Sequence, residues 1–341
     1  MAENKKLEIL ITIPFAESLI ESLRQVSPRI QITVDPARQP EDIPDWVWEK
    51  TEVLYTDSVL PQPEQVPNLR WLQFHYAGLD DVLDAPLLKK AGLEITHLSG
   101  VAAPQMAEYI LMMMLALAHR LPELTANQHK AEWPRDRWER FMPRELYGST
   151  VGIVGYGSIG REVARLLQPF RVTVLTTKRD VRRPQDNGYY VEGMGDPGGD
   201  LFHRLYPVQA LTSMLKECDY IVVCLPLTSQ TRNLIDDKVL RALKPSAFLV
   251  HVGRGGIIEQ NALLLALQER RLGGAALDVF AEEPLPPNSP FWKLPNAIIT
   301  PHVSGISPSY RQRAMDLFEI NLTRFLNGES LLNRLDLQRE Y

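Results

Sequence analysis

Short apolar runs rich in β-branched residues alternate with stretches of helical periodicity along most of the chain. This alternation predicts an α/β protein in which helices cover parallel sheets. In the first third, the predicted strands are Leu7–Ile13, Ile30–Val34, Glu52–Tyr55, Leu72–His75 and Leu93–Thr96. A long apolar helix should follow from about Ala102 to Arg120, because Pro122 stands just beyond its end.

A second α/β series begins near residue 150. Its predicted strands are Thr150–Val154, Val172–Thr176, Tyr220–Leu225, Phe248–Val252, Ala275–Leu277 and Ala297–Thr300. Six strands with intervening helices are typical of a complete dinucleotide-binding sheet. A last amphipathic helix, about Ser309 to Leu326, should end at Asn327-Gly328. We expect this helix to return to the first domain.

Two segments break the alternation. Residues 122–147 are rich in Trp, Pro and charge, which indicates a connection or an arm. Residues 181–207 hold many Gly and Pro residues and show no clear period. We interpret the second segment as an irregular insertion after a strand, and favour a mobile surface over a lid.

Composition narrows the function classes. A chain of 341 residues predicts about two domains. Its 45% hydrophobic content is too high for a disordered chain, and its net charge of −5 argues against binding nucleic acid by bulk charge. The charged N-terminus lacks an export signal, and the longest apolar run, Tyr109–Ala118, is too short to span a bilayer.

The two cysteines, Cys218 and Cys224, are too few for a disulfide framework or a zinc site. We interpret them as buried thiols in a reducing compartment. The sequence therefore predicts a cytoplasmic protein without a metal, a membrane partner or a nucleic-acid partner.

The motif G-x-G-x-x-G directly follows a predicted strand, as Gly155, Gly157 and Gly160. The first glycine allows a tight turn, the second lets the backbone approach a pyrophosphate, and the third lets helix and strand pack closely. The helix that begins at Ser158 and Ile159 offers amide groups and a positive dipole end to phosphates. We predict a dinucleotide site; the alternative is a glycine-rich turn in an unrelated sheet.

The residues after the next strand should read the adenosine ribose. An acidic side chain there favours NAD, whereas this chain has Thr177, Lys178 and Arg179. Hydroxyls and cations suit a 2′-phosphate, so NADP(H) is favoured. Asp180 could act instead, which leaves NAD(H) as the alternative.

Three polar residues follow successive late strands: Arg254, Glu283 and His302. Reduction of a 2-keto acid needs a cation for the substrate carboxylate, which arginine can hold bidentately. It also needs a proton for the keto oxygen, which histidine can supply near neutral pH. A carboxylate bonded to the imidazole would orient it and favour its charged form. Each residue has an ordinary alternative, as an ion-pair partner, an exposed acid or a core histidine.

The sequence resembles the D-isomer-specific 2-hydroxyacid dehydrogenases along nearly its whole length. The motifs that carry the resemblance are Glu145 through Gly155, Arg254-Gly255, Ala262-Leu263, Gly274 through Phe280, Glu283 through Pro286 and Thr300 through His302, with Ala77 through Asp80, Gly100-Val101 and Ala107-Glu108 nearer the N-terminus.

The resemblance implies His302 as acid/base, Glu283 as its partner and Arg254 as substrate anchor. It implies that the backbone amides of Ala77, Gly78 and Leu79 hold the substrate carboxylate. The resemblance also implies cofactor contacts besides the glycine motif and residues 177–179, here called the ribose turn. These contacts are Leu225, Pro226, Thr231, Val252, Gly253, Asp278 and Gly305.

The resemblance also implies two doubly wound parallel-sheet domains. Residues 1–121 with 306–341 would form a flavodoxin-like substrate domain. Residues 122–305 would form an inserted Rossmann domain, through which homodimers form, and the cleft between the domains would close by a hinge motion.

Three positions depart from the family pattern. Lys178 replaces the acid usual in NAD-preferring members. His251 stands where many members carry Asn, which we expect to change the support of the loop and not the chemistry. The insertion 181–207 is longer than usual.

The leading hypothesis is a reductase of short 2-keto acids such as glyoxylate or hydroxypyruvate. One alternative is a short-form phosphoglycerate dehydrogenase, although many members of that group extend into a regulatory domain beyond the last helix. Another is a dinucleotide-sensing, peptide-binding module like the corepressors that share this fold.

Overall fold

The computed structural model of the protein describes residues 6–341. The predicted charged N-terminus falls largely on residues 1–5, outside the described residues. The chain forms two compact units, Met1–Val101 with Ser307–Tyr341, and Ala102–Ile306.

The predicted strands are all present, with ends that differ by at most two residues. Within residues 6–341 the strands are β1 Leu7–Ile11, β2 Ile30–Val34, β3 Val53–Thr56, β4 Trp71–Phe74, β5 Glu94–Thr96, β6 Thr150–Val154, β7 Thr173–Thr177, β8 Arg204–Tyr206, β9 Tyr220–Val223, β10 Phe248–His251, β11 Gly274–Leu277 and β12 Ala297–Ile299. The α-helices are α1 Glu17–Gln25, α2 Asp45–Lys50, α3 Ala103–Ala118, α4 Leu121–His129, α5 Arg137–Arg140, α6 Ser158–Leu167, α7 Leu211–Leu215, α8 Asp237–Arg241, α9 Gln260–Gln268 and α10 Tyr310–Asn327.

The first unit is built on a five-stranded parallel sheet in the order β2-β1-β3-β4-β5. This is the flavodoxin-like order that was predicted. Helix α10 returns to this unit, also as predicted, and its buried Phe318 packs against Tyr55 and Trp71. The helix ends where Gly328 takes φ 71°, a left-handed cap that glycine adopts without strain.

The second unit is built on a seven-stranded parallel sheet in the order β12-β11-β10-β9-β6-β7-β8. Six of its strands were predicted, and the order is that of a dinucleotide-binding sheet with one further strand at the β12 edge. Strand β8 was missed because it is only three residues long and lies inside the irregular segment. It pairs with β7, in register Thr177↔Tyr206, and extends that edge.

The boundary between the units differs from the predicted one. Helix α3, placed by the prediction in the first domain, lies in the second unit. Its buried side chains Ile110, Met114 and Leu117 share a core with Val151 of β6 and Val163 of α6. The packing of α3 against β6 and α6 therefore places this helix in the second unit. Sequence periodicity predicts the helix but does not reveal which elements it packs against. None of the helices within residues 6–341 is long and apolar enough to cross a membrane.

Candidate active site

The predicted cofactor and catalytic residues of the second unit lie in loops that follow β6, β7, β9, β10, β11 and β12. Because all seven strands are parallel, their carboxyl ends meet at one edge of the sheet. Open α/β sheets bind their ligands at this edge.

The glycine loop joins β6 to α6 as the motif predicts. Gly155 has φ 108°, and a Cβ on Gly160 would overlap the carbonyl oxygen of Gly155, so only glycine fits at Gly160. Gly157 is exposed, while Ser158 and Ile159 open the first turn of α6. The backbone can therefore approach a phosphate group at the helix N-terminus.

The loops after β9 and β10 close against this glycine loop. The side chain of Leu225 lies where a Cβ on Gly155 would point, and the carbonyl oxygen of Leu225 lies where a Cβ on Gly253 would point. The Thr231 hydroxyl donates to the Pro226 carbonyl at 2.8 Å and closes the turn after β9. The structure thus brings these predicted cofactor residues together.

The predicted ribose-reading residues have different environments. Thr177 is buried, and its hydroxyl accepts the Gly155 amide at 3.2 Å. The Lys178 ammonium donates to backbone carbonyls of the insertion. Arg179 is exposed. Asp180 turns toward the insertion, where its carboxylate accepts the Arg182 amide at 3.0 Å.

His302 and Glu283 form the central pair of the site. The imidazole Nδ1 and a Glu283 carboxylate oxygen are 2.7 Å apart, and both side chains are partly exposed. The other Glu283 oxygen accepts the Phe280 amide at 2.9 Å, which fixes the carboxylate. Because Glu283 occupies Nδ1, the Nε2 side of the ring remains for a substrate.

Asp278 holds the turn that carries His302. Its carboxylate accepts the amides of Val303 and Ser304, each at 2.9 Å, and its carbonyl accepts the His302 amide at 3.0 Å. His302 itself has φ 54°, a left-handed conformation that a non-glycine residue keeps only when its surroundings impose it. Asp278, predicted to face the nicotinamide, therefore also positions the histidine.

Thr300 and Tyr109 extend the hydrogen-bond network of Asp278, and the sequence analysis assigned neither of them a role. The Thr300 hydroxyl donates to Asp278 at 2.6 Å, so the Tyr109 hydroxyl, 2.6 Å from Thr300, must donate to it in turn. Burial raises the pKa of Tyr109 to about 12, which keeps it a donor. The signal in the sequence for Tyr109 is that a single tyrosine stands within the largely apolar helix α3.

Arg254 follows β10 in a tightly packed loop. A Cβ on Gly255 would overlap the carbonyl of Phe280, so only glycine allows the loops after β10 and β11 to touch. The buried His251 ring supports the loop, because its Nε2 lies 3.0 Å from the Arg254 carbonyl oxygen. Burial lowers the pKa of His251 to about 4, so the ring is neutral. Val252 is buried beside them.

Gly305 lies in the loop between His302 and α10. Its carbonyl accepts the Gln105 side-chain amide at 2.7 Å, which ties the loop to α3. Among the described residues there is no group of three or more His, Cys, Asp or Glu that could hold a metal ion.

The predicted substrate loop lies in the first unit, after β4. Ala77 is exposed, Gly78 is half-buried and Leu79 is buried in the core. The loop is supported by His75, whose Nδ1 bonds to the Tyr55 hydroxyl at 2.8 Å. Burial lowers the pKa of His75 to about 4, so the ring is neutral.

Comparison with known proteins adds independent support. Residues 111–304 match the family model for the NAD-binding domain of D-isomer-specific 2-hydroxyacid dehydrogenases. The chain is 33% identical to a glyoxylate reductase of Thermofilum pendens over 77% of this chain and 73% of that protein. It is 30% identical to a glyoxylate reductase of Thermococcus litoralis over 95% of both chains.

Among solved structures, the fold matches an NADPH-dependent glyoxylate/hydroxypyruvate reductase of Sinorhizobium meliloti in complex with NADP and sulfate. The TM-score is 0.76 and the identity 26%, over 98% of this chain and 100% of that one. Family model, sequence identity, sheet order and site geometry agree: the chain belongs to the D-isomer-specific 2-hydroxyacid dehydrogenase family and is an NAD(P)-dependent oxidoreductase.

Proposed function

We propose that the protein reduces a short 2-keto acid of the glyoxylate or hydroxypyruvate type to the D-2-hydroxy acid. The observation that carries the proposal is the His302–Glu283 pair, 2.7 Å apart, at the sheet edge that also bears the glycine loop. The glyoxylate reductases that resemble this chain support the substrate class.

The residues of the chain divide the chemistry between them. When bound, the reduced nicotinamide coenzyme supplies a hydride to the keto carbon. Arg254 holds the substrate carboxylate. His302 donates its Nε2 proton to the keto oxygen, which becomes the hydroxyl. Glu283 orients the ring through its bond to Nδ1.

The coenzyme preference we propose is NADP(H) over NAD(H). None of the residues 177–179 is acidic, and Arg179 is exposed directly after β7, where the ribose is read. Asp180, the acid that could favour NAD(H), bonds to the insertion instead.

We also propose that the protein is a homodimer. Residues 122–147, here called the aromatic arm, contain Trp133, Trp138 and Met142, with 85%, 73% and 61% of their surfaces exposed. Large exposed apolar side chains close together in the chain favour a protein partner, and a second copy is the partner that the family implies. The cytoplasmic location stays a prediction.

The decisive experiment is a screen at 340 nm of short 2-keto acids against NADPH and NADH, alongside the variant His302→Ala. We expect turnover of glyoxylate or hydroxypyruvate by the wild type. In His302→Ala, kcat should fall by about 10²- to 10⁴-fold, the typical contribution of a general acid. Coenzyme affinity should be nearly unchanged.

The exposed His119 provides a matched control, because His119→Ala removes an imidazole outside the site. Near wild-type kcat in His302→Ala would contradict the role of His302. Turnover confined to 3-phosphohydroxypyruvate, or capture of short-motif peptides without turnover, would favour the phosphoglycerate or corepressor alternatives.

A further inference from the structure

The crossover from β7 to β8, residues 178–203, contains no helix. A helix would satisfy its own backbone hydrogen bonds, so an irregular crossover needs other partners for the backbone groups that it buries. Many of these partners are charged side chains from the coenzyme-binding segments. The crossover is irregular, as the sequence predicted, and these bonds favour a held segment over the mobile surface that we expected.

Lys178 holds the start of the crossover. Its ammonium donates to the carbonyls of Arg183, of Pro184 at 3.2 Å and of Gln185 at 2.8 Å. An ammonium has three protons, so these three bonds use them all. The prediction that Lys178 binds a 2′-phosphate directly therefore needs revision, because its donors serve the crossover.

Arg161, in the first turns of α6, holds the middle of the crossover. Its side chain is 2% exposed and donates to the carbonyls of Pro184 and Asp196. Its charge is balanced by the Asp186 carboxylate at 3.3 Å, and it stacks over the Tyr156 ring. A buried guanidinium with these partners is a rigid connection between helix and crossover.

The Asp196 carboxylate accepts hydrogen bonds from four groups in and beside the crossover. One carboxylate oxygen accepts the amides of Gly199 at 3.1 Å and Asp200 at 2.9 Å. The other accepts the amide of Leu201 at 3.0 Å and the hydroxyl of Tyr156 at 2.6 Å. Burial alone would raise the pKa of Asp196, but these hydrogen bonds outweigh it and lower the pKa, so the carboxylate stays charged.

Tyr156 connects Asp196 to the coenzyme site. It is the residue between Gly155 and Gly157, its ring is buried, and its amide donates to the Thr177 carbonyl at 3.1 Å. One residue therefore belongs to the glycine loop and bonds both to the end of β7 and to the crossover.

We propose that residues 178–203 form a brace that sets coenzyme affinity, with Tyr156 and Asp196 as positioning residues that hold the glycine loop and the ribose turn in their binding geometry. The inference rests on the proposed coenzyme-dependent function and extends it to residues outside the catalytic pair. It assigns to the insertion a role at the adenosine and phosphate end and none at His302.

The test is the variant Tyr156→Phe, which removes only the hydroxyl bonded to Asp196. We expect the Kd of both NADPH and NADH, measured by fluorescence titration, to rise by about tenfold, the equivalent of one hydrogen bond to a charged group. At saturating coenzyme, kcat and the KM for glyoxylate should stay within about twofold of wild type, because His302 is not part of the brace.

Tyr220→Phe is the matched control. The Tyr220 ring is buried in β9 of the same sheet, and its hydroxyl donates to the Arg144 carbonyl at 2.9 Å, away from the brace. This variant should lose a comparable hydrogen bond and keep wild-type coenzyme affinity. Equal rises of Kd in both variants would mean general destabilisation and would overturn the proposal.

Hydrogen exchange supplies a readout that needs no turnover. The amides of Gly199, Asp200 and Leu201 should be protected in the wild type and exchange faster in Tyr156→Phe. A wild type that binds neither coenzyme would contradict the proposed function itself. A wild type that binds, with an unchanged Kd in Tyr156→Phe, would contradict the brace alone.

Discussion

At the scale of single residues, neighbouring positions with similar side chains have different tasks. Lys178 and Arg179 read alike in the sequence, as two cations after a strand. In the structure, the protons of Lys178 go to three backbone carbonyls, whereas Arg179 is exposed. The difference depends on the path of the crossover, which sequence spacing does not reveal.

This difference leads to a prediction about coenzyme selectivity. Arg179→Ala should raise the KM for NADPH by about tenfold and leave the KM for NADH nearly unchanged, because only NADPH carries the 2′-phosphate. Lys178→Met should weaken both coenzymes, because it releases the crossover. Initial-rate kinetics with each coenzyme would show this, and an equal effect of Arg179→Ala on both would refute it.

The proposed catalytic residues come from predictions made at this scale. Arg254, Glu283 and His302 each follow a predicted strand, and parallel strands bring such positions to one edge. Residues that act through others were not predictable, since Tyr109 reaches Asp278 only through Thr300.

At the scale of elements, loops in the second unit are held by carboxylates that accept several backbone amides. Asp196 holds the crossover and Asp278 holds the turn at residues 302–304. The sequence predicted each strand before these loops but not the bonds that close them.

The turn at residues 302–304 provides the second prediction. In Asp278→Asn, an amide group replaces an acceptor oxygen, so one of the amides of Val303 and Ser304 loses its partner. We expect kcat to fall by about tenfold or more as His302 loses its position, with a loss of stability of about 1–3 kcal/mol. Steady-state kinetics and denaturant unfolding would measure these two effects.

Asp219→Asn is the control for this prediction. Asp219 accepts the Thr150 amide at 3.0 Å and pairs with Lys244 at 2.9 Å at the amino end of the sheet. It should lose stability and keep kcat. A similar fall of kcat in both variants would argue against a positioning role for Asp278.

At the scale of the whole molecule, the aromatic arm predicts the oligomeric state. Light scattering should give a mass of twice 38.8 kDa, and the double variant Trp133→Ala/Trp138→Ala should shift it toward one chain. Trp46→Ala, which removes a tryptophan that is 63% exposed in the first unit, should leave the mass unchanged. A monomeric wild type would refute the proposed dimer.

Buried histidines predict how stability depends on pH. Burial lowers the pKa of His75, His97 and His251 from 6.5 to about 4. Between these values the unfolded chain binds protons that the folded chain does not. The free energy of unfolding should therefore fall as pH decreases from about 6.5 to about 4, by on the order of a few kcal/mol per histidine.

Denaturant unfolding between pH 7 and pH 4.5 would measure this dependence. In His251→Asn, a neutral amide replaces the titrating ring, so the decrease should be smaller than in the wild type. An equal pH dependence in wild type and variant would show that His251 contributes nothing to it.

The sequence by itself determined the two α/β units, eleven of the twelve strands and the glycine loop, and it predicted the pairing of Glu283 with His302. These follow from local patterns, since strand periodicity and parallel order bring loop residues to a common edge. Tertiary structure alone decided that α3 lies in the second unit, that β8 forms, and that the crossover is held by Lys178, Arg161 and Asp196. These features depend on hydrogen bonds and packing between segments that are distant in the chain. A local sequence pattern does not reveal which distant segments come into contact.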